Sequence, residues 1–347
     1  MADDLSSRAV RSSTTKKAIG LGYAVLHVCV TVSVVHLRKA VAQVMWMTFL
    51  TATFAVLSAS AQTSRQGLLS LEDARIFYEV IGSGIPIVVI HGGPGLDHNY
   101  LRPALDMFAT QNTLVYYDQR GTGRSEATLD SDAISIDTFV DDIDDLRQTL
   151  EYDRITLLAH SFGALIGLAY ARKYPLNLDG LVLMNPVEPG KRFSGATATR
   201  QSAARSDQDA KELEDLMALE GFQARDPATL SQVYRVSFRS MFRDRGLVDE
   251  LELDISVRTA QNGQEVARLL GEDLDTIDWW DQLPEIEVPT LIIHGRYDIP
   301  PIAMSQALAD ALPLGSLSVL ESGHFPYVED QAGLASTLAS FLAGLQR

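Results

Sequence analysis

Short apolar runs alternate along much of the chain with segments whose apolar residues recur at helical spacing. Runs of Val, Ile and Leu without polar alternation are typical of parallel strands that are buried on both faces. The segment Ile136–Leu150 instead has one apolar and one acidic face, which predicts a helix. Strands that alternate with helices predict an α/β fold with a mostly parallel, doubly wound sheet. Buried strands are predicted at Ala74–Ile81, Ile85–His91, Thr113–Tyr117, after Arg154, and at Gly180–Met184, Thr290–His294 and Ser316–Leu320.

One long segment interrupts this alternation. From residue 186 to about 280 we find no convincing strand, and we predict a helical cap inserted after the sixth-strand region, above the end of the sheet where ligands bind. Amphipathic helices are predicted within the cap at Gln208–Leu219, Leu230–Arg243 and Ile255–Leu270. Outside the cap, helices are predicted at Leu101–Ala109 and Ala332–Leu345.

Residues 1–61 differ from the rest of the chain. The run Ala18–Val35 has about the length of a membrane-spanning helix, although Gly, His and Thr interrupt it. A second apolar run follows the basic pair Arg38-Lys39 and ends in Ala-x-Ala at Ala61, which is typical of a secretory signal peptide. We therefore predict cleavage near Ala61 and export to the periplasm or the extracellular space. Residues 1–36 would be an upstream extension of the reading frame, and an uncleaved segment would anchor the protein in a membrane.

Composition narrows the class of protein. The length of 347 residues and the hydrophobic content of 46% suit a large globular domain over residues 62–347. The net charge of −16 excludes nucleic acid as a partner, because phosphates require a basic surface. Cys29 is the single cysteine, and the histidines form no His-Glu-x-x-His pair, so we expect no disulfide, metal or cofactor. The sequence does not indicate an oligomeric state.

The stretch Ala159-His160-Ser161-Phe162-Gly163 joins a predicted strand to a predicted helix. A serine between small residues in a tight strand-to-helix turn is typical of a nucleophile elbow, which lifts the hydroxyl clear of both elements. Ala159 stands where the pattern has glycine, a difference of one methyl group. An ordinary turn with an incidental serine fits the pentapeptide equally well, so the rest of the chain must decide.

A nucleophilic serine needs a histidine base and a carboxylate that orients it. In one known arrangement these residues follow one another along the chain in the order serine, acid, histidine. For that order Asp298 is the candidate acid, since it follows a predicted strand. His324 is the only histidine after Asp298, so this order selects it as the base. Structural roles are predicted for the other histidines near strand ends, His91, His160 and His294.

The developing oxyanion needs two backbone N–H donors. One should come from Phe162, which follows the nucleophile, and the other from Gly93 in the glycine-rich stretch His91–Gly95. A plain glycine turn is the alternative for that stretch. The segment Gly121–Ser125 lacks the spacing of a phosphate-binding loop, and we interpret it as a tight turn.

The stretches His91–Gly95 and Tyr117–Ser125, together with the elbow, resemble the proline iminopeptidase-like branch of the α/β-hydrolase fold, which includes the tricorn-interacting aminopeptidases. The resemblance covers the chain from about Leu71 to the C-terminus and is weakest across the cap. It implies hydrolysis of an amide or ester through an acyl-enzyme. The typical reaction of this branch releases the N-terminal residue of a short peptide.

The resemblance also implies acidic side chains that hold the free α-amine of the substrate. Glu265 matches the cap acid of these peptidases, but Ile299 stands where an acid is expected beside the catalytic aspartate. Glu188, at a strand end, is a candidate substitute, whereas Glu265 could equally be a solvated helix residue. Three functions therefore remain: an aminopeptidase, an esterase or lactonase acting on a small ester, and a non-catalytic binding protein on the same fold.

Overall fold

A nine-stranded sheet runs through residues 64–345, the part of the chain that the computed structural model describes. The predicted signal peptide and membrane segment lie outside the described residues. The strands lie in the order β1-β2-β4-β3-β6-β7-β8-β9, and the short β5 pairs with β2. Their bounds are Ser64–Ser70 (β1), Ala74–Gly82 (β2), Ile85–Ile90 (β3), Asn112–Tyr117 (β4), Glu126–Ala127 (β5), Ile155–His160 (β6), Leu178–Met184 (β7), Thr290–Gly295 (β8) and Gly315–Leu320 (β9).

The six strands β4, β3, β6, β7, β8 and β9 pair in parallel. Strand β2 pairs antiparallel with both β1 and β4. The predicted α/β fold with a mostly parallel sheet is thus confirmed. The central strands are apolar on both faces: Val88 and Ile90 pack into one core, and Ile87 and Val89 into the other. Because both faces are covered, the carboxyl ends of these strands form the natural place for a site.

Helices cover both faces and form the cap. The helices outside the cap are Ile136–Thr149 (α1), Gly163–Lys173 (α2), Ile302–Ala311 (α9), Pro326–Glu329 (α10) and Gln331–Leu345 (α11). The cap helices are Ser194–Ala204 (α3), Asp207–Met217 (α4), Glu220–Gln223 (α5), Pro227–Arg239 (α6), Val257–Leu269 (α7) and Gly271–Thr276 (α8). Side-chain caps explain several starts. Ser135 caps α1, Asp226 precedes Pro227 at the start of α6, and Ser256 caps α7.

The cap helices lie between β7 and β8, as the interrupted strand pattern predicts. If the two-residue β5 is left out, the cap follows the sixth strand. Helix α7 contacts the loop after β3 backbone to backbone at one point: a Cβ atom on either Gly95 or Gly263 would overlap the carbonyl oxygen of the other. Thr259, one turn earlier, donates from Oγ1 to Asp97 at 2.8 Å and accepts from the Gly123 N–H at 2.9 Å. Helix α7 is therefore held closely against the two glycine-rich loops.

The structure corrects one predicted helix and adds elements that the sequence pattern did not predict. One of these is β1, an edge strand from Ser64 in which only Leu69 is buried, and it lies within the predicted domain of residues 62–347. The predicted helix Leu101–Ala109 is instead two 3-10 segments, His98–Leu101 and Ala104–Thr110, which Pro103 separates. Helix α3 went unpredicted because it has no buried residue and hence no apolar stripe. Within residues 64–345, no helix combines the length and apolarity needed to cross a membrane.

Candidate active site

Ser161 lies directly after β6 in a strained backbone conformation. Its φ angle of 56° is in the left-handed region, which non-glycine residues seldom adopt outside tight or functional turns. The Ser161 N–H donates to the Met184 carbonyl at 3.0 Å, which ties the turn to the neighbouring strand β7. Helix α2 begins two residues later, at Gly163. This strand, strained serine and helix form the nucleophile elbow that the sequence predicts.

Asp298 and His324 form a buried pair at the same end of the sheet. His324 Nδ1 lies 2.9 Å from Asp298 Oδ1 and 3.0 Å from Oδ2, so the ring nitrogen donates to the carboxylate. Burial alone would raise the pKa of Asp298, but the charge and hydrogen bond of His324 hold it below its ordinary value. The acid therefore stays ionised and holds the Nδ1–H tautomer of His324, which leaves Nε2 as the basic nitrogen.

Asn185 connects the acid with the base. It follows Met184 at the end of β7 and has a φ of 48°. Its Nδ2 donates to Asp298 Oδ2 at 2.7 Å and to the Gly323 carbonyl at 3.1 Å, next to His324. Since Met184 also accepts the bond from Ser161, the elbow, the acid and the base are linked through the end of one strand. The structure thus brings the three predicted catalytic residues to one edge of the sheet.

The predicted oxyanion donors lie in the two predicted loops. No group among residues 64–345 accepts a hydrogen bond from the N–H of Phe162 or Gly93, so both remain available to a ligand. Phe162 precedes the first turn of α2, where the positive end of the helix dipole favours an anion. Gly93 has a φ of 132°, which few side chains would tolerate. The joint role of these donors stays a prediction.

Two of the other histidines support loops from buried positions. His91 Nδ1 lies 2.9 Å from the Gly92 carbonyl, and its Nε2 accepts from the Gln119 N–H at 3.0 Å. Burial lowers the pKa of His91 to about 4, so the ring is neutral at neutral pH. His294 Nδ1 lies 2.8 Å from Ser305 Oγ. The structural roles predicted for these two histidines agree with these contacts.

The cap also touches the predicted catalytic acid, Asp298. Arg200, on helix α3, donates from Nη2 to the Asp298 carbonyl and from Nε to the Ile299 carbonyl, both at 2.8 Å. The sequence pattern did not single out Arg200, because a lone arginine on a helix without buried residues carries no distinguishing signal. The loop that carries Asp298 is therefore held by the cap residue Arg200 as well as by Asn185.

A loop of the cap likewise holds the loop that carries His324. The His324 N–H donates to the Met241 carbonyl at 2.8 Å. Glu329 accepts from the Gly323 N–H at 2.5 Å and from the Asp244 N–H at 2.9 Å, so one carboxylate joins the two loops. The cap thus contributes to the placement of both the acid and the base.

The two candidate amine ligands lie in different surroundings. Glu265 forms a salt bridge with Arg268 at 2.7 Å, and 41% of its side chain is exposed. Glu265 lies two residues after Gly263, which places it about 200° around the helix from that glycine. Gly263 faces Gly95 in the loop His91–Gly95, which carries the predicted donor Gly93 and is called the oxyanion loop below. Glu265 therefore points away from that loop, which disfavours its predicted role as an amine ligand. The alternative of a solvated helix residue describes it.

Glu188 lies much closer to the elbow. The N–H of the preceding residue, Val187, donates to the Ser161 carbonyl at 3.4 Å. The half-buried carboxylate of Glu188 accepts from the Phe193 N–H at 2.7 Å. Burial raises the pKa of Glu188 above its ordinary value. Glu188 therefore remains the candidate acid for binding a substrate cation.

A second buried histidine–aspartate pair lies outside this site. His98 Nδ1 lies 2.6 Å from Asp118 Oδ1, and both side chains are almost completely buried. Asp118 also accepts from the Arg124 N–H at 2.7 Å. Among residues 64–345, no group of three or more His, Cys, Asp or Glu side chains is arranged to hold a metal ion.

Comparison with known proteins places this geometry among hydrolases. Residues 85–331 match the family described as alpha/beta hydrolase fold. The proline iminopeptidase of Saccharolobus solfataricus is 28% identical over 282 residues, which cover 76% of this chain and 87% of that protein.

Two solved structures have similar folds. A proline iminopeptidase-related protein from Thermus thermophilus is 26% identical, with a TM-score of 0.62, and the match covers 82% of this chain and 98% of that one. A thermophilic esterase from Thermogutta terrifontis is 20% identical, with a TM-score of 0.61, and the match covers 82% of this chain and all of that one. The likeness to the esterase concerns the fold alone.

Proposed function

The chain belongs to the α/β-hydrolase fold family and is a serine hydrolase, and we propose that it acts as an aminopeptidase of the proline iminopeptidase type. The observation that carries the hydrolytic chemistry is the strained Ser161 beside the buried pair of Asp298 and His324. Support for the peptidase comes from relatives of that name and from the half-buried Glu188 near the elbow.

The reaction follows from the geometry. Ser161 Oγ attacks the carbonyl carbon of the scissile bond while His324 Nε2 takes the hydroxyl proton, and Asp298 stabilises the resulting imidazolium. The N–H groups of Phe162 and Gly93 donate to the tetrahedral oxyanion. His324 then returns the proton to the leaving nitrogen or oxygen, which leaves an acyl-enzyme. A water molecule, deprotonated by His324, releases the acid and restores Ser161.

An aminopeptidase must also bind a cation. The α-ammonium group of the substrate leaves bulk water, and burying an unpaired charge is costly, so an acidic partner is needed. Glu265 is turned outward and Ile299 is apolar, which leaves Glu188 as the partner. Its raised pKa would fall when a cation binds, so the carboxylate would be ionised in the complex.

The second candidate is an esterase or lactonase. The observation that favours it is the outward position of Glu265, because only one acid remains near the elbow to bind an amine. An uncharged ester needs no such acid, and the same three catalytic residues would cleave it.

A substrate panel decides between the two functions. Specificity constants would be measured on proline anilide, its N-acetyl derivative and a simple acyl ester, with Ser161→Ala as the inactive control. We expect the free-amine anilide to be preferred. Preference for the ester, with no measurable cleavage of either anilide, would establish the esterase.

Two glutamate variants then test the amine ligand. Glu188→Gln should cost about 2 kcal/mol, or roughly 30-fold in kcat/KM, on the free-amine anilide alone. Glu265→Gln is the matched control and should change both anilides by less than about twofold, since an exposed ion pair contributes little. Equal losses on the free and N-acetylated anilides with Glu188→Gln would rule out its role.

We also propose export of the protein, on the signal-peptide pattern that ends at Ala61. Expression of the full chain, followed by sequencing of the N-terminus of the exported protein, tests this. A start at Gln62 is expected, and a start well upstream of it would contradict the proposal.

A further inference from the structure

A chain of hydrogen bonds connects the oxyanion loop with the loop of the catalytic histidine. The Gly92 N–H donates to the hydroxyl of Tyr100 at 2.6 Å. The same hydroxyl lies 2.8 Å from His160 Nδ1, and His160 Nε2 lies 3.0 Å from the His324 carbonyl oxygen. Tyr100 and His160 are 4% and 1% exposed, so water does not compete for these bonds.

Donor and acceptor chemistry allows a single arrangement of protons along this chain. The His324 carbonyl can only accept, so His160 must carry its proton on Nε2. Burial, together with the charge of His324, lowers the pKa of His160 to about 3, and Nδ1 is therefore an acceptor. The Tyr100 hydroxyl must then donate to Nδ1 and accept from Gly92. Burial raises the pKa of Tyr100, so the hydroxyl keeps its proton.

Both ends of this chain of hydrogen bonds lie where small displacements affect the reaction. A Cβ atom on Gly92 would lie 2.9 Å from Ser161 Cβ, so this backbone touches the nucleophile. The next residue, Gly93, supplies a predicted oxyanion donor. At the other end, the bond is made to the backbone of His324 itself. The rings of His160 and His324 are 4.8 Å apart between centroids.

We propose that Tyr100 and His160 are positioning residues that set the oxyanion loop and the catalytic histidine at a fixed separation. Neither side chain takes part in bond making. The proposal rests on the serine-hydrolase reaction and not on the aminopeptidase assignment, because amides and esters need the same separation of base and oxyanion donors. It is tested with whichever substrate the wild-type enzyme cleaves best.

Tyr100→Phe is the sharpest test, since it removes one oxygen atom and keeps the ring. We expect kcat to fall roughly 10- to 100-fold with KM within about twofold of wild type, because misplacement acts on the transition state. The rate constant for labelling Ser161 with a fluorophosphonate should fall in parallel. Tyr116→Phe is the matched control. Its buried hydroxyl donates to Asp106 at 2.9 Å, away from this chain of bonds, and its kcat should change less than about twofold.

A kcat for Tyr100→Phe that equals that of Tyr116→Phe, at similar thermal stability, would overturn the proposal. If Tyr100→Phe does not fold, His160 provides the second test. His160→Gln can donate its amide N–H to the His324 carbonyl, whereas His160→Leu cannot. We expect the Gln variant to retain at least roughly tenfold more kcat per labelled site than the Leu variant. Equal values for the two would contradict the positioning role.

Discussion

The two buried histidine–aspartate pairs are similar in chemistry and differ in surroundings. Both aspartates follow strands of the parallel sheet, Asp118 after β4 and Asp298 after β8, and both hold a histidine Nδ1 within 3.0 Å. His324 keeps its Nε2 available beside the nucleophile elbow. The ring of His98 packs instead between Phe77 and Tyr116, and its Nε2 is buried with no partner among the described residues.

The difference shows that a histidine–aspartate pair is not by itself a catalytic unit. The pair becomes one when its free nitrogen reaches a nucleophile and a substrate, which is the role proposed for His324 at the elbow. The pair of His98 and Asp118 fastens the loops after β3 and β4, since Asp118 also accepts from the backbone of His98 and Arg124. We therefore expect the same substitutions to abolish turnover at one pair and to lower stability at the other.

The largest contrast is expected between the two histidines. His324→Ala removes the general base and should lower kcat about 10⁶-fold with little change in the folded structure. His98→Ala leaves the Asp118 carboxylate buried without its partner, which should lower the free energy of unfolding by about 3–5 kcal/mol. Urea unfolding and kcat, normalised to the amount of folded protein, measure both effects. A large loss of normalised kcat in His98→Ala would erase the distinction.

The two aspartates should give a smaller contrast that depends on pH. Asp298→Asn should lower kcat about 10⁴-fold through the wrong tautomer of His324. Although burial alone would raise the pKa of Asp118, the hydrogen bond and charge of His98 lower it. The stability from Asp118 is therefore present above the unfolded-state pKa of about 4, and it is lost as the pH falls through the lower folded-state value.

Asp118→Asn should accordingly destabilise the protein at pH 7, and the difference from wild type should shrink below about pH 4. Unfolding free energies from urea titrations at both pH values check this. A difference that is constant with pH would mean that the carboxylate charge does not stabilise this pair.

The smallest effect concerns the surroundings of the second pair. Thr259→Val keeps the shape of the side chain and removes the hydroxyl that bonds Asp97 and the Gly123 N–H. Loss of these buried bonds should lower the unfolding free energy by about 1–3 kcal/mol. Calorimetry measures this, and kcat should stay within about threefold of wild type. A stability equal to wild type would show that these bonds do not hold the cap.

Much of the core could be predicted from the sequence because its signals are local. Continuous apolar runs identified the central strands, and the order of Ser161, Asp298 and His324 selected the candidate catalytic residues. The edge strand β1 was not predicted because Leu69 is its single buried residue, which leaves no apolar pattern to recognise. Helix α3 was missed for the related reason that it buries nothing.

The supporting residues of the site could not be predicted, because their roles arise from contacts between distant segments. Tyr100 acts across 60 positions on His160, and Arg200 across 98 on Asp298. Neither residue belongs to a motif. The prediction for Glu265 has the opposite origin. It rests on a local match, whereas Gly263 shows that the other face of α7 meets the loop of Gly95.

The contact between Gly95 and Gly263 limits how the substrate range of this enzyme can change in evolution or in the laboratory. Any side chain at either position would push helix α7 off the oxyanion loop, so the helix cannot be exchanged or shifted without disturbing the reaction itself. Helices α4 to α6 make no backbone hydrogen bond with that loop among the described residues. Mutant libraries that aim at new substrates should therefore vary α4 to α6 and keep both glycines and Arg200.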